Sequence, residues 1–168
     1  MIGAAITAAL LALCAGCASN PRSISPNPFQ IEIQSSKSLN ADSNGRPSPL
    51  RIIIYELKSV ANFESVDFFS LSQKDQATLG ADLIEKEEFF IRPGESRIVL
   101  RKGHPDAAFV GVFAEFRDLD KAVWRASALL PPKGRDGMLA AGLSMLKFEP
   151  LTKTYRILLD QKSVKMQF

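Results

Sequence analysis

The chain has 168 residues, with 21 Lys or Arg against 18 Asp or Glu and a formal net charge of +3 at pH 7. A chain of this length is typical of one domain, which buries roughly two thirds of its unfolded surface. The basic residues are spread along the chain without a clustered stripe, so the charge pattern argues against nucleic acid as a partner.

An apolar segment comes first in the chain. Residues 2–16 form a run of 15 apolar or small residues, which is shorter than the roughly 20 that a membrane-spanning helix needs and typical of a secretory signal. The run closes on Cys14-Ala15-Gly16-Cys17, and bacterial lipoprotein signals are cleaved before such a Cys, whose thiol is then acylated. We therefore predict a signal peptide over residues 1–16 and lipidation of Cys17. Cys14 is the alternative, but it would place the bulky Leu13 at the cleavage point.

A short tether is predicted over residues 17–28. Residues 20–28 contain three Pro and two Ser, a composition that favours an extended linker between a lipidated N-terminus and a domain. With Cys14 removed and Cys17 acylated, the mature chain keeps no free thiol and no disulfide, so packing must hold the domain predicted over residues 29–168. A diacylglycerol on the Cys17 thiol and one amide-linked chain would give three acyl chains, more than the two signals that stable anchoring requires. The protein is therefore expected to stay on a membrane.

Two strand patterns and the loop between them follow. Phe29–Ser35 alternates apolar and polar residues, which predicts a strand with one buried face. Leu50–Leu57, with Ile52, Ile53 and Ile54 at its centre, is apolar on both faces and predicts a strand inside a sheet. Residues 40–49 contain two Asn, one Asp, two Ser, one Gly and two Pro, so no regular ladder is expected there.

The middle of the chain predicts a small helical insert and a hairpin. Residues 59–83 predict one or two short helices capped by Ser65 or Asp67, with three nearby aromatic side chains closing the end of a sandwich: Phe63, Phe68 and Phe69. Residues 87–91 and 96–100 predict two strands, which the Pro93-Gly94 turn joins into a hairpin.

The remaining residues predict further strands. Residues 107–116 predict a central strand in which Gly111 marks a bulge or a close backbone approach, and residues 123–130 predict another that carries Trp124. A breaker-rich loop at 131–137 and a short helix at 138–145 precede a closing hairpin of residues 152–160 and 163–167. The fold predicted is all-β with a small helical insert between strands two and three, a two-sheet antiparallel β-sandwich of seven or eight strands.

Catalytic and metal-binding patterns are sparse. The chain has one His, His104, and neither a Gly-rich phosphate loop nor a nucleophile elbow, so we predict no catalytic residues, no cofactor and no small-molecule substrate. The acidic cluster Glu85, Glu87 and Glu88, with Asp42 and Asp75, lacks Ca²⁺-loop spacing, and a solvated strand face explains it more simply than a metal site.

An ordered series of short motifs resembles the TssJ lipoproteins of bacterial type VI secretion systems, from Cys17 to about Arg125. The series begins with the lipoprotein signal and continues through Leu39-Asn40 with Asp42, Gly45-Arg46-Pro47-Ser48-Pro49, Tyr55-Glu56-Leu57-Lys58, Phe63, Asp67-Phe68, Pro93-Gly94-Glu95, Phe113-Ala114-Glu115-Phe116-Arg117 and Val123-Trp124-Arg125.

The resemblance implies a transthyretin-like β-sandwich tethered to the inner leaflet of the outer membrane and facing the periplasm. Ala18, following the lipid-bearing Cys, agrees with outer-membrane sorting under the enterobacterial rule. In the family, a loop between strands one and two, here residues 38–49, contacts the C-terminal periplasmic region of the inner-membrane component TssM. The partner-binding residues expected on this basis are Asn40, Ala41, Asp42, Ser43, Asn44, Gly45, Arg46 and Pro47.

Two other function classes remain open from the residues alone. A periplasmic ligand- or carbohydrate-binding lipoprotein would use Trp124 and exposed Phe residues as its stacking surface, and the burial of Trp124 distinguishes it from a protein-binding adaptor. A hydrolase on the same architecture would need a base other than His104.

Overall fold

Two four-stranded sheets form the fold in the computed structural model, which describes residues 28–130 and 153–167. One sheet has the order β4-β1-β7-β8 and the other β3-β2-β5-β6. The strands are β1 Phe29–Ser35, β2 Leu50–Leu57, β3 Leu83–Ile91, β4 Ser96–Arg101, β5 Phe109–Ala114, β6 Arg125–Leu129, β7 Lys153–Leu159 and β8 Val164–Gln167. Two α-helices, α1 Ala61–Ser65 and α2 Phe68–Leu79, and one turn of 3-10 helix, Gly80–Asp82, lie between β2 and β3. The predicted sandwich with a helical insert is confirmed.

Pairing within the sheets departs from the antiparallel expectation at one place. β1 and β7 pair in parallel, with Phe29 opposite Lys153 and Ser35 opposite Leu159, whereas the other strand pairs are antiparallel. The alternation of apolar and polar residues within a strand shows which face is buried. It does not show whether the neighbouring strand is parallel or antiparallel, because side chains alternate with the same period in both kinds of pair. The sandwich is therefore mixed.

The core between the sheets follows the predicted alternation. Phe29, Ile31 and Ile33 of β1 are fully or almost fully buried, and they pack with Ile52 and Ile54 of β2. Ile53, Tyr55 and Leu57 of β2 are just as buried, but they belong to a second cluster on the opposite face of the sheet. β2 lies between β3 and β5 and is covered on both faces, as its apolar sequence predicts.

The helical insert covers the outer face of the β3-β2-β5-β6 sheet. Asp67 is the N-cap of α2, and its side chain accepts a hydrogen bond from the Ser70 N–H, which confirms one of the two predicted caps. The second cluster contains Ile53, Tyr55, Leu57 and Phe113 of the sheet with Phe63, Leu71 and Leu79 of the helices. The prediction that Phe residues close the end of the sandwich is wrong, because the insert packs on a sheet face and leaves Phe69 59% exposed.

Gly111 is a point of close approach and not a bulge. It lies in unbroken register opposite Tyr55 and Ser127. A Cβ at this position would lie 3.1 Å from the Phe63 ring and 3.3 Å from Leu57 Cδ1. Only a residue without a side chain lets the buried Phe63 ring pack directly on the strand.

The predicted β3–β4 hairpin is wrong. β3 pairs with β2 in one sheet and β4 pairs with β1 in the other, so the Pro93-Gly94 turn carries the chain across the sandwich. The turn is held at the crossing by the Gly94 N–H, which donates to the Ser36 carbonyl at 3.0 Å, and by the Ser35 N–H, which donates to the Glu95 carbonyl at 3.0 Å. A turn motif specifies that the chain reverses, whereas strand pairing depends on residues elsewhere.

Ion pairs join the strands flanking this crossing. Arg101 of β4 lies 2.8 Å from Glu56 of β2, and both side chains are buried. Arg101 also pairs with Glu85 and Glu87 of β3 at 3.2 and 3.1 Å, and Arg97 approaches Glu87 at 3.5 Å. We call these five residues the arginine seam. The predicted solvated acidic face is exposed at Glu85 and Glu88, whose side chains are 59% and 41% exposed, and its carboxylates are also ion-paired, with Glu88 bound to Arg51 at 2.6 Å.

Several predicted features lie outside the described residues. These are the signal peptide, Cys14 and Cys17, most of the tether, the loop at 131–137 and the helix at 138–145. Within the described ranges, no helix has both the length and the apolar character needed to cross a membrane.

Candidate functional site

The loop of residues 36–49 crosses from one sheet to the other, because β1 and β2 belong to different sheets. We call it the β1–β2 loop. The β7–β8 turn and the segment after β5 lie at the same end of the sandwich, since the Asn40 N–H donates to the Gln161 carbonyl at 3.1 Å and the Arg117 N–H donates to Asn40 Oδ1 at 2.9 Å. This end of the sandwich, where the Pro93-Gly94 turn also lies, is the loop end.

Asn40 holds the β1–β2 loop in place. The residue is 4% exposed, and its Nδ2 donates to the Pro49 carbonyl at 3.0 Å while its Oδ1 accepts from the Arg117 N–H. Its φ of 48° lies in the left-handed region, which Asn tolerates better than most side chains. Leu39, next to it, is fully buried in the core between the sheets. The base of the loop is therefore part of the folded core.

Asp42 closes the outer part of the loop into a turn. Its Oδ1 accepts hydrogen bonds from the N–H groups of Asn44 and Arg46, both at 2.9 Å, and its Oδ2 accepts from Arg46 Nε at 2.8 Å. The Arg46 N–H bond is the largest cause that lowers the pKa of Asp42. Gly45 takes a φ of 76° inside this turn with no atom near its missing side chain, so its role is conformational.

The eight predicted partner-binding residues divide into two groups. Asn40 and Ala41 are buried, at 4% and 7% exposure, and Asp42 is half-buried. The five residues at the tip are exposed: Ser43, Asn44, Gly45, Arg46 and Pro47. A surface contact is available at the tip, whereas the first three residues determine the shape that the tip presents.

An open groove of about 600 Å³ runs between the tip and its neighbours. It is lined by Ala41, Asp42, Ser43 and Gly45 of the loop and by Arg117, Asp118, Gln161 and Lys162. Lys162 Nζ lies 2.5 Å from Asp118 Oδ2, and this hydrogen bond is the largest cause that lowers the pKa of Asp118.

The sequence did not predict the four groove residues outside the loop, which are Arg117, Asp118, Gln161 and Lys162. Arg117 was identified only as the end of a strand motif, and it lies 77 positions from the Asn40 that it contacts. The pairing of β1 with β7 brings the β7–β8 turn to the loop, and that pairing has no local sequence signal.

Trp124 is half-buried and packs edge-on against Phe68 and Phe113, with ring centroids 5.4 and 5.7 Å away. The Arg125 guanidinium lies 4.5 Å from the Trp124 ring centre and is itself held by the Phe63 and Val66 carbonyls. A sugar-stacking platform needs a free ring face. The contacts of Trp124 favour the packing role over the carbohydrate-binding alternative.

His104, the one His of the chain, makes structural contacts. His104 Nδ1 accepts a hydrogen bond from the Asp106 N–H, and the His104 N–H donates to buried Glu56. In the part of the chain that the structure describes, no three or more His, Cys, Asp or Glu side chains are grouped so that they could hold a metal ion.

The fold and the loop end define a class of protein: a mixed two-sheet β-sandwich with a helical layer on one face and a braced crossover loop at one end. The family model T6SS-SciN, described as type VI secretion lipoprotein, VasD, EvfM, TssJ, matches residues 27–162. The chain belongs to this family of membrane-associated secretion-system lipoproteins, which confirms the resemblance seen in its ordered motifs.

Solved structures agree with this assignment. The T6SS lipoprotein TssJ1 from Pseudomonas aeruginosa is 32% identical with a TM-score of 0.72, covering 84% of this chain and 95% of its own. Serratia marcescens Lip, described as a membrane-bound component of the type VI secretion system, is 26% identical with a TM-score of 0.72, covering 85% and 97%. A chain in a structure described as the T6SS protein TssM C-terminal domain from EAEC is 25% identical with a TM-score of 0.60, covering 84% and 98%. No curated protein sequence matches the chain.

Proposed function

We propose that this protein anchors the trans-envelope membrane complex of the type VI secretion system at the outer membrane, by binding the periplasmic C-terminal region of TssM through the β1–β2 loop. Family membership supports the secretion-system role. The similarity to a chain from a structure described as the TssM C-terminal domain supports TssM as the partner. The role is one of tethering and not of catalysis.

The braced β1–β2 loop is the observation that carries the proposal. Asn40 joins its base to two neighbouring connections, and Asp42 closes its outer turn with three hydrogen bonds. A tip already held in one conformation loses little conformational entropy when it docks, so a small contact area can give useful affinity.

The predicted position of the lipid anchor supports an orientation in which the tip of the loop points away from the membrane. β1 begins at Phe29, at the end of the sandwich opposite the loop end, and its seven residues span roughly 20 Å. Lipidation of Cys17 after removal of residues 1–16 would attach the tether of residues 17–28 to that opposite end. The tip would then face away from the outer membrane and into the periplasm.

Calorimetry on the mature chain tests the proposal, with Cys17→Ser to keep the protein in solution. We expect micromolar or tighter binding to the periplasmic C-terminal region of TssM from the same genome, and a loss of tenfold or more with Asn44→Trp, which adds bulk at the exposed tip. Lys102→Trp is the matched control, because Lys102 is exposed and follows β4 at the opposite end. Absence of binding by the folded wild-type chain would refute the proposal, and unchanged binding by Asn44→Trp would refute the assignment to the loop.

A further inference from the structure

The groove at the loop end has an uneven set of charges. Three cations and two carboxylates are associated with it: Arg46, Arg117 and Lys162 with Asp42 and Asp118. Asp42 pairs with Arg46 at 2.8 Å and Asp118 pairs with Lys162 at 2.5 Å. Both carboxylates are therefore neutralised by a neighbour within the loop end.

Arg117 is the cation left over. It is exposed and lines the groove, and among residues 28–130 and 153–167 its guanidinium has no hydrogen bond or ion pair. Its charge nevertheless lies close enough to Asp42 to help lower the pKa of that carboxyl. The groove thus carries one uncompensated positive charge beside the tip.

The backbone that carries Arg117 is held in place. The Arg117 N–H donates to buried Asn40 Oδ1 at 2.9 Å, and the preceding Phe116 is 3% exposed. The guanidinium therefore extends from a fixed point, linked through Asn40 to the β1–β2 loop. Docking on the tip and contact with Arg117 would use one rigid surface.

We propose that the protein partner contacts both the tip and the groove, and that Arg117 binds a carboxylate side chain that the partner inserts there. This inference rests on the proposed function and adds to it the chemistry of the contact. Guanidinium binds carboxylate through two parallel hydrogen bonds, a geometry that lysine cannot reproduce. An open groove of about 600 Å³ accommodates a loop or a helix end that carries such a side chain.

The test uses the same calorimetric titration of the mature Cys17→Ser chain with the periplasmic C-terminal region of TssM. We expect Arg117→Glu to weaken binding by about tenfold or more, because the new carboxylate would repel the carboxylate that the partner inserts into the groove. Lys102→Glu is the matched control: Lys102 is an exposed cation at the opposite end of the sandwich, and a change of less than about threefold is expected. Thermal unfolding of each variant checks that the fold is retained.

Salt dependence separates a direct charge contact from an indirect effect. Arg117→Ala should bind more weakly and should lose part of the decline in affinity with rising salt, since an exposed ion pair is screened. Weakened binding with an unchanged salt dependence would overturn the inference. Binding by wild type that Asn44→Trp abolishes and Arg117→Glu leaves intact would also overturn it while leaving the proposed function standing.

Discussion

At the scale of single residues, Asn40 shows how a polar side chain becomes part of a core. It occupies a left-handed backbone position and satisfies the Pro49 carbonyl and the Arg117 N–H, both of which lie at the base of the loop. Buried backbone groups that lose their partners carry a desolvation penalty. The family resemblance predicts Asn40 as a contact residue, and in this structure Asn40 is buried and holds the base of the loop that carries the exposed tip.

Replacing Asn40 separates the contribution of its side-chain hydrogen bonds from that of its left-handed backbone conformation. We expect Asn40→Ala to lower the free energy of unfolding by about 3 kcal/mol, combining two lost hydrogen bonds with the strain of a left-handed alanine. Asn40→Gly loses the same hydrogen bonds without that strain and should be more stable than Asn40→Ala by about 1 kcal/mol. Urea unfolding monitored by circular dichroism measures both values, and wild-type stability for Asn40→Ala would contradict the bracing role.

At the scale of secondary-structure elements, β3 and β4 are adjacent in sequence but lie in different sheets. The arginine seam links them by side chains where a hairpin would have used a backbone ladder. Arg101 and Glu56 are 7% and 0% exposed as side chains and share a 2.8 Å contact. Removing one member of such a buried pair leaves the other charged and without its partner, which costs more than the pair itself contributes.

The seam predicts a large difference between two arginines on the same strand. We expect Arg101→Met to lower the free energy of unfolding by about 3–5 kcal/mol, because Glu56 would remain buried with its carboxylate. Arg97→Met is the control, since Arg97 is 38% exposed and has only a 3.5 Å pair with Glu87 and a contact with the Phe89 ring. Its expected cost is about 1 kcal/mol. Equal effects of the two variants in denaturant unfolding would argue against the seam.

At the scale of the whole molecule, several carboxylates accept hydrogen bonds that favour their charged form. The pKa values of Asp42, Asp67, Asp118 and Glu88 are all lowered, mainly by bonds from Arg46, Ser70, Lys162 and Arg51 respectively. The unfolded chain therefore takes up protons at a higher pH than the folded chain does. Their contribution to stability is complete above the ordinary pKa values of 3.8 and 4.5 and is lost as the pH falls through the lowered ones.

Acid unfolding tests the predicted loss of stability at low pH. We expect the urea midpoint to stay nearly constant from about pH 7 to pH 5 and to fall steeply below about pH 4. The double variant Asp42→Asn and Asp118→Asn should show a shallower fall, because two of the titrating groups are gone. Midpoints measured across the range at constant ionic strength give both curves, and parallel curves would refute the assignment to these two carboxylates.

The sequence by itself determined the local features of this protein. The period-two alternation of β1, the apolar run of β2 and the breakers between them depend on residues within a few positions of one another, and both strands were predicted with the bounds that the structure has. Even the family could be identified, because its motifs follow in order along the chain.

Only the tertiary structure decided which strands are neighbours and which polar side chains meet. The parallel pairing of β1 with β7, the separation of β3 from β4, the burial of Asn40 and the place of Arg117 beside the tip all depend on contacts between distant parts of the chain. Hydrogen bonds and ion pairs of this kind form between groups that only the folded chain brings within about 3 Å, so no local pattern records them.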